Sequence, residues 1–117
     1  MAVSAQESDV DRALRALADA NRRAILSAIR MTPLPVGELA AEVGLSQQTT
    51  SHHLGVLRVA GLVTESREGR RHLYAVNSDG FAATREYLDD FWPSRLMALQ
   101  DAVESGLKER ESRDSDA

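Results

Sequence analysis

The sequence contains no cysteine among its 117 residues. Disulfide bonds, thiolate nucleophiles and sulfur-ligated zinc sites are therefore excluded, and the composition fits a reducing compartment. No stretch approaches the roughly 18 apolar residues that a membrane span requires, and the N-terminus lacks the basic and apolar regions of a signal peptide. We expect a soluble cytoplasmic protein that has no membrane partner.

The net charge of the chain is −4, and the charge is negative over residues 1–45 and 77–117. The exception is residues 46–76, where four arginines face two glutamates and give a net charge of +2. This block suits an anionic partner, although an ordinary solvated surface can carry the same charge. With 43% hydrophobic residues, the chain is long enough for one compact domain with a modest core.

Apolar residues recur at three- and four-residue steps in the first half of the chain, which is typical of amphipathic helices. We predict helices over residues 9–18, 20–30, 36–43 and 47–60, with a proline-containing loop over 32–35. Asp19 and Ser46 are the expected N-caps, and Gly44 is expected to end the third helix. The residues predicted to face the core are Ala24, Ile25, Ala28 and Ile29 in the second helix, and Thr50, Leu54 and Leu57 in the fourth.

The second half of the chain begins with two strand-like runs, residues 62–67 and 71–76, joined across Glu68, Gly69 and Arg70 as a β-hairpin. A long helical pattern then runs from Ser78 or Asp79 to Glu109, and Pro93 is expected to kink or break it near Asp89 and Asp90. Residues 1–8 and 110–117 are predicted to be disordered, which leaves residues 9–109 as the folded domain.

This order of elements predicts a mostly α-helical protein with a small β-hairpin, the winged helix-turn-helix fold. In that fold the second helix of the motif enters the major groove of DNA. If Thr50, Leu54 and Leu57 face the core, the opposite face of this helix carries glutamine, serine, histidine and glycine. Such side chains bond base edges, and glycine lets the backbone approach phosphate closely. A solvated helix surface is the alternative, but it usually carries Glu, Lys and Arg.

The predicted DNA-binding residues lie in this helix and in the hairpin. His53 lies between the core and DNA faces, so a structural hydrogen bond is an equally good interpretation. Arg58 suits either a phosphate or the C-terminal dipole of its own helix. Arginines at the hairpin tip suit phosphates or a minor groove, and cross-strand pairing with Glu65 and Glu68 is the alternative. The full set is Ser46, Gln47, Gln48, Thr49, Ser51, His52, His53, Arg58, Arg67, Arg70 and Arg71.

The segments ALADANRRAILSAI and VGELAAEVGLSQQTTSHHLGVLRVAGLVTESREGRRHLYAV resemble the ArsR/SmtB family of bacterial winged-helix transcriptional repressors, over about residues 10–104. The resemblance implies a homodimer formed through the first and last helices. It also implies a recognition helix over Gln47–Ala60, a wing over Leu62–Val76, and double-stranded operator DNA as the partner. The protein would then act in the bacterial cytoplasm, at the nucleoid.

The predicted dimer interface combines the first helix with an apolar stripe near the C-terminus. That stripe is wide for so small a domain, so a second copy of the chain is favoured over an intrachain core. The predicted interface residues are Val10, Leu14, Leu17, Leu88, Phe91, Trp92, Leu96, Leu99 and Val103.

The resemblance implies two places for a metal site, cysteines in the helix before the turn or Asp and His on the last helix. Metal sensing is not expected, because the third helix has no cysteine and residues 79–109 contain no histidine. The arrangement FW-P-RL instead resembles the metal-independent, SdpR-like subgroup of the family. We therefore predict no metal and no cofactor, and the sequence names no inducer.

Three alternatives stand beside a DNA-binding repressor. A small-molecule-responsive repressor would hold its ligand at the dimer interface, and a winged-helix protein-interaction module would not bind DNA. An enzyme would use Asp89 with Asp90, or Ser51 with His52. Neighbouring residues on a helix point apart and no glycine-rich loop accompanies them, so catalysis is not expected.

Overall fold

A computed structural model of the chain describes residues 8–92 and 95–115, and the side chains of residues 8–92 and 99–110. The predicted fold class is confirmed, because helices predominate and the described strands form one antiparallel hairpin. The elements are α1 (Asp9–Leu17), α2 (Ala20–Ala28), α3 (Val36–Val43), α4 (Gln47–Val59), β1 (Val63–Glu68), β2 (Arg71–Val76), a 3₁₀ turn (Ser78–Phe81), α5 (Ala82–Asp89) and α6 (Arg95–Ser115). The chain divides into two compact units, residues 1–85 and residues 86–117.

Local sequence signals place the helix ends where expected. The Asp19 carboxylate accepts hydrogen bonds from the backbone N–H groups of Asn21 and Arg22, and the Ser46 hydroxyl accepts one from Thr49 N–H. Gly44 follows α3 with φ 72°, a left-handed conformation that glycine adopts without a Cβ clash. These residues fix the tight turn between α3 and α4, and thereby set the direction in which α4 leaves the core.

The core of the first unit lies among α1–α4 and the start of β1. Ile25, Leu39, Leu54 and Leu57 are fully buried there, together with Leu62. The prediction that Ala24 faces the core is wrong, since Ala24 is exposed and Leu26 is buried instead. Burying leucine removes more apolar surface from water than burying alanine does, so the helix turns its larger side chain inward.

The hairpin is stabilised by the pairing of its two strands and by backbone hydrogen bonds to the loop that precedes α3. Val63 pairs with Val76 and Glu68 with Arg71, so only Gly69 and Arg70 connect the strands, with Gly69 at φ 64°. Leu34 lies in the predicted proline-containing loop, and its backbone exchanges two hydrogen bonds with Tyr74 of β2, at 3.1 and 2.9 Å. This bridge ties the hairpin to the segment that precedes α3.

The helical pattern after the hairpin differs from the prediction of one long helix. A 3₁₀ turn and α5 come first, and α5 ends at Asp89, where a break was expected. Pro93 itself lies outside the described residues. Helix α6 continues to Ser115, so its predicted end at Glu109 is wrong. The disorder predicted for residues 110–117 stays a prediction. Charged residues of both signs support such a helix without a core, as the Glu104–Lys108 spacing illustrates.

Of the residues predicted to be disordered, 1–7, 116 and 117 lie outside the described residues. Over the ranges 8–92 and 95–115, no helix combines the length and the apolar character needed to cross a membrane.

Candidate nucleic-acid interface

Helix α4 has a buried face and a polar exposed face. Thr50, Leu54 and Leu57 are buried as predicted, and the Thr50 hydroxyl is satisfied by donating to the Ser46 carbonyl at 2.8 Å. The exposed side carries the polar and imidazole side chains that were predicted to face outward. They are Gln47, Gln48, Ser51 and His52, with Gly55 beside them. Helix α4 therefore presents donors and acceptors on a rigid scaffold whose opposite side is fixed by the core.

The hydroxyls of Ser46 and Thr49 order the start of α4. Ser46 Oγ accepts from the Thr49 backbone N–H at 3.0 Å and donates to Thr49 Oγ1 at 2.8 Å. Both residues are exposed, and a hydroxyl oxygen has two lone pairs, so Thr49 Oγ1 can accept from a further partner. Their predicted contact with DNA remains a prediction.

His53 belongs to the core and not to the exposed face, which corrects its prediction as a DNA contact. Only 8% of its surface is exposed. Its Nδ1 atom lies 3.4 Å from Nη1 of Arg22, at the start of α2. The position is explained by helix geometry, because residue 53 is three positions after Thr50 and four before Leu57, on the buried stripe.

Arg58 connects the end of α4 to the hairpin. Its Nη1 atom lies 2.8 Å from the Glu65 carboxylate, and the same carboxylate accepts a hydrogen bond from His72 Nδ1 on the opposite strand. The hydrogen bond from His72 and the nearby charge of Arg58 lower the pKa of Glu65. Arg58 was predicted to meet a phosphate or the helix dipole, and the sequence analysis missed its ion pair with Glu65. It therefore also missed that Glu65 connects α4 to the hairpin.

The hairpin tip displays arginines, as its sequence predicted. Arg67, Arg70 and Arg71 are all exposed. Arg71 Nη2 lies 3.1 Å from a carboxylate oxygen of Glu38 on α3, with both side chains more than half exposed. The alternative, cross-strand pairing of Glu65 with a hairpin arginine, does not occur among the described residues, because Glu65 pairs with Arg58 and His72.

The residues predicted for a dimer interface are largely accessible. In the first unit, Leu14 is exposed while Val10 and Leu17 are half-buried. In the second unit, Tyr87 and Phe91 meet edge to face with ring centroids 5.2 Å apart. The side chain of Leu96 lies outside the described residues. The other predicted members are exposed, and so is Leu107, which the sequence analysis missed although it continues the four-residue spacing: Leu88, Phe91, Trp92, Leu99, Val103 and Leu107.

Metal ligation has no evident site in the part of the chain that the structure describes. No group of three or more His, Asp or Glu side chains there is arranged to hold an ion. His72 contacts Glu65, and His53 contacts Arg22, so two of the three histidines are engaged by other side chains.

Comparisons with known proteins extend over most of the chain. A family described as a helix-turn-helix domain matches residues 17–66. The HTH-type transcriptional regulator Rv2034 of Mycobacterium tuberculosis is 42% identical over 95 residues, covering 81% of this chain and 89% of that protein.

Two solved structures are similar in fold and in sequence. An ArsR-like transcriptional regulator from Rhodococcus sp. RHA1 has a TM-score of 0.65 at 25% identity, covering 86% of this chain and 91% of that one. The homodimeric winged helix-turn-helix DNA-binding domain Mb0332 from Mycobacterium bovis, a possible ArsR-family transcriptional regulator, has a TM-score of 0.59 at 28% identity. That match covers 77% of this chain and 94% of the Mb0332 domain.

Proposed function

Because the chain belongs to the ArsR family of winged helix-turn-helix, DNA-binding transcriptional regulators, we propose that it is a homodimeric repressor that binds an imperfect palindromic operator. The observation that carries this proposal is the exposed face of α4, where Gln48, Ser51 and His52 stand outside a buried stripe. Glutamine bonds adenine through two atoms, and serine bonds several base edges. We assign α4 to the major groove and base recognition to these side chains, with Gln47 and Gly55 beside them.

The hairpin arginines supply contacts to the DNA backbone in this proposal. Arg67 and Arg70 are exposed at the tip and suit phosphate oxygens or a narrow minor groove. Arg71 forms an ion pair with Glu38, but an exposed ion pair contributes little stability. Replacing this carboxylate by a phosphate therefore costs little free energy. The pairing of Arg58 with Glu65 has a different consequence, because it orients the hairpin relative to α4.

A second copy of the chain is the proposed occupant of the exposed apolar residues in each unit. On α6, Leu99, Val103 and Leu107 follow one another at four-residue spacing, which forms a stripe along one helix face. Exposed stripes of this kind are typical of interfaces, and the similar Mb0332 domain is homodimeric. We therefore assign dimerisation to α1 and the C-terminal segment, with Leu107 added to the predicted set.

Release from DNA through a metal ion is not part of the proposal. Helix α3 contains no cysteine, and the described histidines lie in the DNA-reading elements instead of forming a ligand cluster. Micromolar zinc should leave the DNA affinity of the protein unchanged, and a stoichiometric zinc site whose occupation releases DNA would contradict this assignment to the metal-independent, SdpR-like subgroup.

A mobility-shift assay with DNA from the region upstream of the protein's own gene tests the proposal. The full chain should retard this DNA at concentrations where a shuffled sequence of equal length remains free. The variant Gln48→Ala/Ser51→Ala should lose this preference while keeping its fold by circular dichroism. Equal retardation of both DNAs would contradict sequence-specific recognition, and retardation of neither would favour the alternative that this winged helix serves protein contacts only.

A further inference from the structure

A groove of about 530 Å³ lies between α1 and the exposed side of α4. Its size is within the range of about 300–1,000 Å³ that small-molecule sites occupy. Helix α1 provides one wall and the middle and end of α4 provide the other. The lining residues are Arg12, Arg15, Ala16, Ser51, His52, Gly55, Val56, Val59 and Ala60.

The lining combines an apolar floor with a cationic rim. Ala16, Val56 and Ala60 form apolar surface against the core, and Val59 is 78% exposed to solvent. Arg12 and Arg15 lie three residues apart on α1, and therefore project from the same flank of that helix. Of the described residues that line the groove, none is acidic, and Arg12 and Arg15 are its two arginines.

We propose that this groove binds a small anionic molecule with an apolar body, such as a medium-chain carboxylate, and that this ligand competes with DNA. The apolar body would cover Val56 and Val59, and the carboxylate would meet the guanidinium groups of Arg12 and Arg15. Charged hydrogen bonds from arginine to a carboxylate are geometrically well matched. The competition with DNA rests on the proposed function, because Ser51, His52 and Gly55 belong to both the groove and the face assigned to the major groove.

The groove and the proposed dimer face of α1 are on different flanks of the helix. At about 100° per residue, Arg12 lies nearly opposite Val10 and Leu14, and Arg15 lies more than a quarter turn from either. A second copy that contacts Val10 and Leu14 therefore meets a flank of α1 other than the one that carries the groove arginines. Arg12 does pair with Asp9 at 2.8 Å, but both side chains are exposed, and such a pair is readily exchanged for another carboxylate.

The binding test uses 1-anilinonaphthalene-8-sulfonate, an anionic apolar dye, with the full chain at constant ionic strength. Saturable dye fluorescence is expected, and octanoate should displace the dye. The neutral alcohol 1-octanol has the same chain length, so it controls for the apolar contribution. Octanoate should bind about tenfold more tightly than octanol, equivalent to about 1.4 kcal/mol. Equal displacement by the two compounds would overturn the proposal.

Three variants locate the site. Arg12→Gln/Arg15→Gln should weaken octanoate binding about tenfold and leave octanol unchanged. Val59→Asp should weaken both, since it places a carboxylate on the exposed apolar floor. Arg30→Gln, an exposed arginine outside the groove, is the matched control and should bind as the wild type does. Wild-type binding of dye and octanoate by the first two variants would place the dye elsewhere, for example on Phe91 and Trp92, and would overturn the proposal.

DNA titrations separate this inference from the proposed function. Octanoate should raise the apparent dissociation constant for DNA in the wild type but not in Arg12→Gln/Arg15→Gln. If the double variant lowers the salt dependence of DNA binding while octanoate has no effect, the groove arginines serve the DNA backbone and the ligand proposal is wrong. A wild-type chain that binds octanoate but no DNA would instead overturn the proposed function and leave the groove as a ligand site.

Discussion

Nη1 of Arg22 lies 3.4 Å from Nδ1 of His53, and this contact joins the start of α2 to the buried side of α4. The same guanidinium donates to the backbone carbonyl of Ala16 at 2.7 Å and to that of Arg15 at 3.2 Å. Arg22 thus donates to two carbonyls in the last turn of α1 and also contacts the His53 ring of α4. One side chain therefore connects α1, which we assign to the dimer, with α4, which we assign to DNA.

Removal of Arg22 is expected to destabilise the fold. Arg22→Ala leaves two helix-end carbonyls and the His53 ring without this partner, so we expect a loss of about 1–3 kcal/mol in the free energy of unfolding. Urea unfolding followed by circular dichroism measures it. Arg30→Ala, at an exposed position just beyond the end of α2, is the matched control, and equal unfolding free energies for the two variants would show that the Arg22 hydrogen bonds do not stabilise the protein.

Base recognition should reside in Gln48 and Ser51. Replacing either residue by alanine removes a donor or acceptor from the exposed face of α4 and leaves the packing of the core unchanged. We expect a cost of about 1–3 kcal/mol on the operator and much less on random DNA. Fluorescence anisotropy with both DNAs measures the difference, and a uniform weakening on both would reassign these residues to the DNA backbone.

Arginines of the hairpin tip should contribute affinity without sequence preference. Arg67→Gln and Arg70→Gln are each expected to weaken binding to all DNA sequences alike and to reduce the salt slope by about 0.9 for each phosphate that is no longer neutralised. Arg71→Gln should have the smaller effect, because Arg71 must first leave Glu38. Titrations at several salt concentrations test this, and altered base preference with an unchanged salt slope would contradict it.

Stability should depend on the ionisation of Glu65. Its pKa is lowered from the ordinary value of 4.5 by the hydrogen bond from His72 and by Arg58. A carboxyl with a lower pKa in the folded state stabilises the protein above its unfolded pKa, and this contribution is lost as the pH falls through the folded pKa. The wild type should therefore lose more stability than Glu65→Gln does between about pH 6 and pH 3. Glu68→Gln, on the same strand, is the control and should follow the wild type.

Short-range signals account for what the sequence predicted well. Asp19, Gly44 and Ser46 act within three residues of their own positions, so helix starts and the tight turn could be located from the chain alone. The exposed polar face of α4 followed from the spacing of Thr50 and Leu54. The similarity to known transcriptional regulators confirms the prediction of a DNA-binding transcriptional regulator with a winged helix-turn-helix fold.

Pairings between distant segments could not be predicted in the same way. Arg71 meets Glu38 and Arg58 meets Glu65 only because the hairpin folds back beside α3 and α4, and periodicity contains no such information. Gly80 is a similar case, because a Cβ atom there would lie 1.7 Å from the Gly61 carbonyl oxygen, a clash visible only in three dimensions. His53 is different: we placed it between the core and DNA faces, but its spacing from Thr50 and Leu57 was available in the sequence and matches the buried side.

A footprint of the full chain on its bound DNA tests the central claim most directly. A dimer that places one α4 helix in each of two successive major grooves should protect two half-sites on one face of the DNA, with centres about 34 Å or ten base pairs apart and related by an imperfect twofold axis. Protection of a single asymmetric half-site, or of no defined site, would contradict the account.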